Sequence, residues 1–171
     1  MIFVTVGTHE QQFDRLIKYM DLMEKNVNSQ EEIIIQTGYS TYEPEFCKWS
    51  KLFPYQDMVK YTEEARIVIT HGGPSSFILP LQLGKIPIVI PRRKEFGEHV
   101  NNHQVDFSKA VEQRQGNIIV VNEIDMLAET ILNYENIVAS MHAGLISNNE
   151  KFILSFEKIA DELVEKGKKK R

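Results

Sequence analysis

Short, continuously apolar runs alternate along this chain with longer amphipathic stretches, and few folds accommodate that alternation. Ile2 to Val6, Glu32 to Gln36, Arg66 to Thr70, Ile86 to Ile90 and Asn117 to Val121 read as strands. Lys51 to Phe53 reads as a further short one, and Pro87 belongs near the start of its strand. Between the strands, Phe13, Leu16, Ile17, Met20 and Met23 recur at helical spacing. Asp57 reads as the N-cap of a helix through Glu64, and Ser75 to Leu83, Glu98 to Gln113 and Glu123 to Tyr134 read as further helices. Tyr39 to Trp49 reads as loop, and Leu145 to Lys166 as a final long helix. Strands apolar on both faces and separated by helices predict an α/β fold, a Rossmann-like parallel sheet covered on both sides. No repeat or linker divides the 171 residues, so a single domain is expected over 1–171.

Such sheets bind ligands beyond the carboxyl ends of their strands, where strand order reverses. Gly7-Thr8-His9, Thr37-Gly38-Tyr39, Pro54-Tyr55, His71-Gly72-Gly73 and Arg92 to His99 all fall at such ends and are expected to line one crevice. The strongest of them is Ile69-Thr70-His71-Gly72-Gly73-Pro74-Ser75-Ser76, a buried strand turning directly into a helix through two glycines and two hydroxyls. Helix N-termini present free N–H groups, and this turn has the build of a phosphate site. Ser75 and Ser76 also read simply as helix caps, and His71 as a loop histidine.

The first loop narrows the nucleotide. After strand one a dinucleotide fold carries Gly-x-Gly-x-x-Gly, whereas Gly7 here is followed by Thr8-His9-Glu10-Gln11. The Lys-Ser or Lys-Thr of a P-loop is absent as well, which disfavours NAD and ATP. A formal charge of -4 gives no footprint for nucleic acid, and the basic tail 167–171 reads as a solvated end or an anionic-surface contact. A lone Cys47 suits the cytosol. No segment reaches the ~20 apolar residues of a membrane span, and Met1 to Val6 does not read as a signal peptide.

His71-Gly72-Gly73-Pro74-Ser75-Ser76, Gly84-Lys85-Ile86-Pro87-Ile88-Val89-Ile90-Pro91 and Asn102-His103-Gln104, together with Val6 to Leu16, resemble the donor half of GT-B glycosyltransferases, particularly family 28. The chain is similar to the small donor-binding subunits of split transferases, found in bacterial capsule and exopolysaccharide synthesis and in eukaryotic GlcNAc transfer to lipid-linked oligosaccharide. The resemblance implies the C-terminal half of a GT-B fold and an inverting hexosyltransferase that takes galactose, glucose or GlcNAc from a UDP-sugar. It also implies that Gly72, Gly73, Ser75 and Ser76 grip the diphosphate with His71 at the lip. His103 and Gln104 would meet the sugar, Tyr55 would lie against the uracil, and Gly7, Thr8, Thr37 and Gly38 would line the same crevice. The family's usual ribose-binding Glu is replaced by Leu79, and Glu95 or Glu98 would substitute if the Arg92 to His99 loop folds over the nucleotide.

The sequence contains no Asp-x-Asp, so no metal and no further cofactor are expected. His99 and His103 stand at zinc-ligand spacing, but Val100 occupies the place of the catalytic Glu. Arg92-Arg93-Lys94 reads either as a diphosphate or acceptor neutraliser or as a solvated run. His9 is the candidate catalytic base, with loop shaping as its alternative role. Tyr39, Tyr42 and Trp49 read as packing or as cover for an acceptor. The resemblance further implies a membrane-anchored partner that binds a polyprenyl-diphosphate-linked saccharide and holds the protein at the inner face of the membrane. The stripe from Ile146 to Val164 would be either its docking surface or core. Two roles follow, a catalytic donor-binding subunit and a non-catalytic nucleotide-sugar-binding or enhancing subunit.

Overall fold

A computed structural model describes residues 1–27 and 31–141. The final helix expected over 145–166 and the tail 167–171 lie outside the described residues. The elements are β1 (Ile2–Thr5), α1 (Asp14–Val27), β2 (Ile33–Gln36), β3 (Lys48–Ser50), α2 (Tyr55–Glu64), β4 (Ile67–His71), α3 (Pro74–Gln82), β5 (Ile88–Ile90), α4 (His103–Gln115), β6 (Ile119–Val120), α5 (Leu127–Leu132) and α6 (Tyr134–Val138). The strands form one sheet in the order β3-β2-β1-β4-β5-β6. Every pairing is parallel, with Val4 opposite both Ile35 and Ile69.

Alternation along each strand divides the core in two. Ile2, Val4, Ile33, Ile35, Ile67 and Ile69 face one side, where Phe13 just before α1, Leu16, Ile17 and Met20 of α1, and Leu127 and Ile131 of α5 cover them. Phe3, Ile34 and Val68 face the other side against Met58 and Tyr61 of α2, while Val89 meets Phe77 and Leu81 of α3. Phe3 and Val4 have no exposed surface. This double burial is why the runs read as continuously apolar rather than alternating.

Four boundaries depart from the sequence reading. The short strand is Lys48–Ser50 rather than Lys51 to Phe53, because the chain turns after Ser50, whose hydroxyl donates to the Leu52 carbonyl. Helix α2 begins at Tyr55 with Pro54 at the N-cap, and Asp57 lies in its first turn instead of capping it. Residues 98–102 are not helical: Gly97 is left-handed at φ 67°, and Asn102 accepts from the Lys94 N–H, so α4 starts only at His103. The stretch after Glu123 is a 3₁₀ turn followed by α5 and α6, broken at Asn133.

The loop from Tyr39 to Cys47 is held by one buried carboxylate. Asp21 accepts the N–H groups of Glu45, Phe46 and Cys47 and the Tyr42 hydroxyl, all at 2.8–3.0 Å. Burial raises its pKa, but the bonds from Glu45, Tyr42, Cys47 and Phe46 together outweigh that and hold the carboxyl below its ordinary value. Replacing Asp21 with Asn is expected to cost about 1–3 kcal/mol at neutral pH by leaving buried donors badly served. Because the folded pKa is depressed, this advantage of the wild type is complete above about pH 4 and fades as pH falls through the folded value. Urea unfolding of both proteins between pH 2 and 7 checks this, and a difference that is constant across the range would refute it.

Candidate functional site

Strands β1 and β4 lie side by side at the centre of the sheet, and the helices that follow them pack on opposite faces. That is the topological switch point, and a crevice of about 810 Å³ opens there. Its floor is Thr5, Gln36 and His71, its near lip Gly7 to Glu10, and one wall Ser75, Ser76 and Leu79 of α3. Leu52, Phe53, Tyr55 and Met58 form an apolar wall on the β3 side. Of the sequence-derived site residues, Gly7, Thr8, His9, Tyr55, His71, Ser75 and Ser76 line this space.

The glycines are required by crowding around one ring. Gly7 has φ +74°, and a Cβ there would stand 2.5 Å from His71 Nε2; a Cβ on Gly73 would stand 2.5 Å from the Cε1 of the same ring. A Cβ on Gly72 would meet Ser108 Oγ at 2.7 Å. His71 is therefore clasped between the loop after β1 and the turn into α3. Gly73 donates its N–H to Nδ1 at 3.0 Å, which leaves the imidazole proton on Nε2. Burial first, and then the positive Arg92, push the His71 pKa down to about 4. His71 is thus a neutral N–H donor at working pH, and nitrogen NMR is expected to show it unprotonated at pH 6. A titration near the ordinary imidazole value of about 6.5 would contradict this.

The turn's donors are spent differently from the expectation. Gly72 donates to Gln104 Oε1 at 3.1 Å and Ser76 donates its N–H to the Gly73 carbonyl at 3.0 Å. The Ser76 hydroxyl is bonded to the carbonyls of His71 and Gly73 at 2.6 Å each, and no side chain caps the start of α3. The Ser75 side is exposed at the crevice. The glycines here shape the crevice more than they supply free N–H groups to it.

Several assignments need correction. Gln104 is buried, and its Oε1 accepts from both Gly72 and Arg92, so that oxygen braces the turn instead of facing a sugar. Glu98 has no exposed surface; Arg15 grips both its oxygens at 2.8 and 3.0 Å and Arg93 N–H binds one of them, so it does not fold over a nucleotide. Glu95 is exposed and lies 3.7 Å from Arg93. Thr37 and Gly38 are buried behind the first loop, where a Cβ on Gly38 would collide with the Gly7 carbonyl at 2.5 Å. His103 is exposed at the start of α4, outside the crevice lining. Leu79 faces the crevice.

Arg92 is neither a solvated residue nor a ligand contact. It is 1% exposed, and its guanidinium donates to the carbonyls of Val6, Gln11, Gln12 and Glu98 at 2.8–3.2 Å. It lies over the Phe13 ring at 4.8 Å and so pins the first loop to the exit of β5. Arg93 turns away to the Asn122 carbonyl and Glu123. Gln36 was also passed over in the sequence: it joins Thr5 Oγ1 to the Phe53 N–H and so sets the floor against the apolar wall. A polar residue closing an otherwise apolar strand was its only signal.

The model of the glycosyltransferase family 28 C-terminal domain matches residues 1–163. Among solved structures, the chain is similar to the glycotransferase of kitacinnamycin, with TM-score 0.53 and 13% identity over 77% of this chain and 34% of that one. It is also similar to the glycosyltransferase SnogD from Streptomyces nogalater, with TM-score 0.51 and 17% identity over 82% of this chain and 40% of that one. At these identities the likeness is one of fold, and the chain spans little more than a third of their length. No curated protein matches the sequence.

Proposed function

The chain belongs to the glycosyltransferase family 28 C-terminal domains, and from that premise we propose that it binds a UDP-hexose and serves as the donor half of an inverting, metal-independent transferase. The observation that carries this reading is the crevice at the switch point, walled by His71 and by Ser75, Ser76 and Leu79 of α3 on one side and by Leu52, Phe53 and Tyr55 on another. A flat base suits the apolar wall, and a diphosphate suits the Ser75 hydroxyl and the start of α3. Neutral His71 offers its Nε2–H to the leaving phosphate as an uncharged donor. Preorganised donors of this kind are worth about 3–4 kcal/mol each where charge develops.

Transfer would move the acceptor hydroxyl proton to a base as the new glycosidic bond forms and UDP departs. His9 lines the crevice and is proposed for that role in the tautomer that bares Nε2, with the Gln11 N–H released from Nδ1. The acceptor is proposed to be a polyprenyl-diphosphate-linked saccharide of capsular or exopolysaccharide synthesis, held by a membrane-anchored partner that supplies the other half of the fold. Among the described residues no helix is long and apolar enough to cross a membrane.

Calorimetric titration with UDP, UDP-galactose, UDP-glucose and UDP-GlcNAc, with and without the product of the neighbouring gene, tests nucleotide, sugar and partner together. Binding of UDP with preference for one hexose is the expected result. Failure of all four ligands to bind under both conditions would end the reading. Loss of transfer by His9→Ala in the complex, with donor affinity kept, would distinguish a catalytic subunit from one that only presents the donor.

A further inference from the structure

His9, His99 and His103 come from two separated parts of the chain and stand in series outward from the lip of the crevice, which His9 alone of the three lines. His9 follows β1, whereas His99 and His103 flank the start of α4; ring centroids are 5.1 Å apart for His9 and His99 and 5.0 Å for His99 and His103. Strand order puts them on the β5 side of the central loops, opposite the apolar wall that follows β3.

Arg92 is the positive side chain whose charge bears on these rings. None of the three is ion-paired among the described residues, and the nearest buried carboxylate, Glu98, is engaged by Arg15. Arg92 and His71 lie beneath, Glu10 is the next residue on the His9 loop, and Asp106 follows one turn along α4. His99 is pushed below the ordinary imidazole value first by burial and then by His103, His9 and Arg92. Nor do the rings converge as metal ligands: among the described residues no group of three His, Cys, Asp or Glu is placed to hold an ion.

Hydrogen bonds assign the neutral tautomers. His9 Nδ1 accepts from Gln11 N–H at 3.1 Å and His99 Nδ1 from Asn101 N–H at 3.4 Å, so both carry their proton on Nε2. His103 is the reverse: its Nδ1 bonds the Asn101 carboxamide oxygen at 3.1 Å and so donates, leaving Nε2 bare. Two of the rings are ready to donate to an anion, and the third can do so only after gaining a proton.

We propose that His9, His99 and His103 form a second anion site at the β5 end of the crevice, which takes a phosphate group of a bound ligand together with one proton. The inference rests on the crevice being a nucleotide-sugar site. The phosphate belongs either to the donor diphosphate or to an anionic acceptor. An anion bound there relieves the mutual repulsion of the rings and of Arg92, so binding and proton uptake are linked.

The test is calorimetry on the full chain at pH 6 and pH 8, in two buffers of different ionisation heat, with UDP-glucose and with geranyl diphosphate. Wild type is expected to bind one of the two about tenfold tighter at pH 6 and to take up about one proton on binding near pH 8. His103→Gln, at an exposed position, and His99→Asn are expected to remove both effects while thermal melting shows the fold intact. The titration of the ligand's own phosphate is common to all proteins and cancels in the comparison. An effect with UDP-glucose identifies the donor diphosphate, and an effect with geranyl diphosphate identifies the acceptor phosphate; either supports the site. If the affinity and proton count of both ligands are the same in wild type and His103→Gln, the site is overturned, while UDP-glucose binding would leave the nucleotide reading standing. Proton-linked geranyl diphosphate binding with no UDP-glucose binding would sustain the site and remove the nucleotide reading. No binding of either ligand overturns both.

Discussion

Arg92→Met is expected to lower the unfolding free energy by about 3–5 kcal/mol, the sum of several buried carbonyls orphaned at roughly 1 kcal/mol or more each. The four carbonyls it serves come from the end of β1, the loop after it and the segment before α4, so no single neighbour can replace it. Met keeps the aliphatic bulk against Phe13 and isolates the loss to the guanidinium. Arg92→Lys should recover only part of the stability, because an ammonium lacks the fork that reaches Val6 and Gln11 together. Urea unfolding of the three proteins decides the matter. A loss under 1 kcal/mol for Arg92→Met would show that the first loop is held by other means.

Gly7→Ala is the second large effect, and it should appear in ligand binding. The added Cβ arrives at 2.5 Å from His71 Nε2 in a backbone at φ +74°, so either the ring leaves the crevice floor or the first loop moves. UDP affinity is expected to fall by about tenfold to a hundredfold because the clash displaces His71 or the first loop from the site, the equivalent of about 1.4–2.8 kcal/mol. Gly84→Ala is the control: its φ of +72° is nearly the same, but nothing lies within 4 Å of the new Cβ. Both variants should lose comparable stability from strain, and only Gly7→Ala should lose the ligand. Equal affinity in the two would mean that His71 has no fixed place in the site.

Much of this was legible in the sequence because burial writes itself into residue type. Ile2 to Val6, Arg66 to Thr70 and Ile86 to Ile90 fall between two helical layers, and only unbroken apolar runs serve there. The junction from Ile69 to Ser76 was equally clear, since a strand that ends in two glycines and a proline before a helical pattern has few other conformations. Its family resemblance extends across the chain, and the family match over residues 1–163 agrees.

Roles that depend on a distant partner were not legible. Glu98 and Arg15 are 83 positions apart, as are Arg92 and the loop it pins by nearly the same interval, and no local pattern encodes such pairs. A basic run Arg92-Arg93-Lys94 looks the same whether it is solvated or buried, yet Arg92 is enclosed and Lys94 is exposed. The start of α4 was misplaced for a related reason: Asn102 is taken up by Lys94 N–H, a bond that forms only after Gly97 has turned the chain.

By itself the sequence determined the α/β class, the location of the crevice at the strand ends and the glycine turn, all consequences of periodicity and local backbone constraint. Only the tertiary structure decided which polar side chains face the crevice and which brace it. Buried charges and amides must be satisfied by whichever partners the packing brings close, and Gln104, Glu98 and Arg92 found theirs in the protein itself.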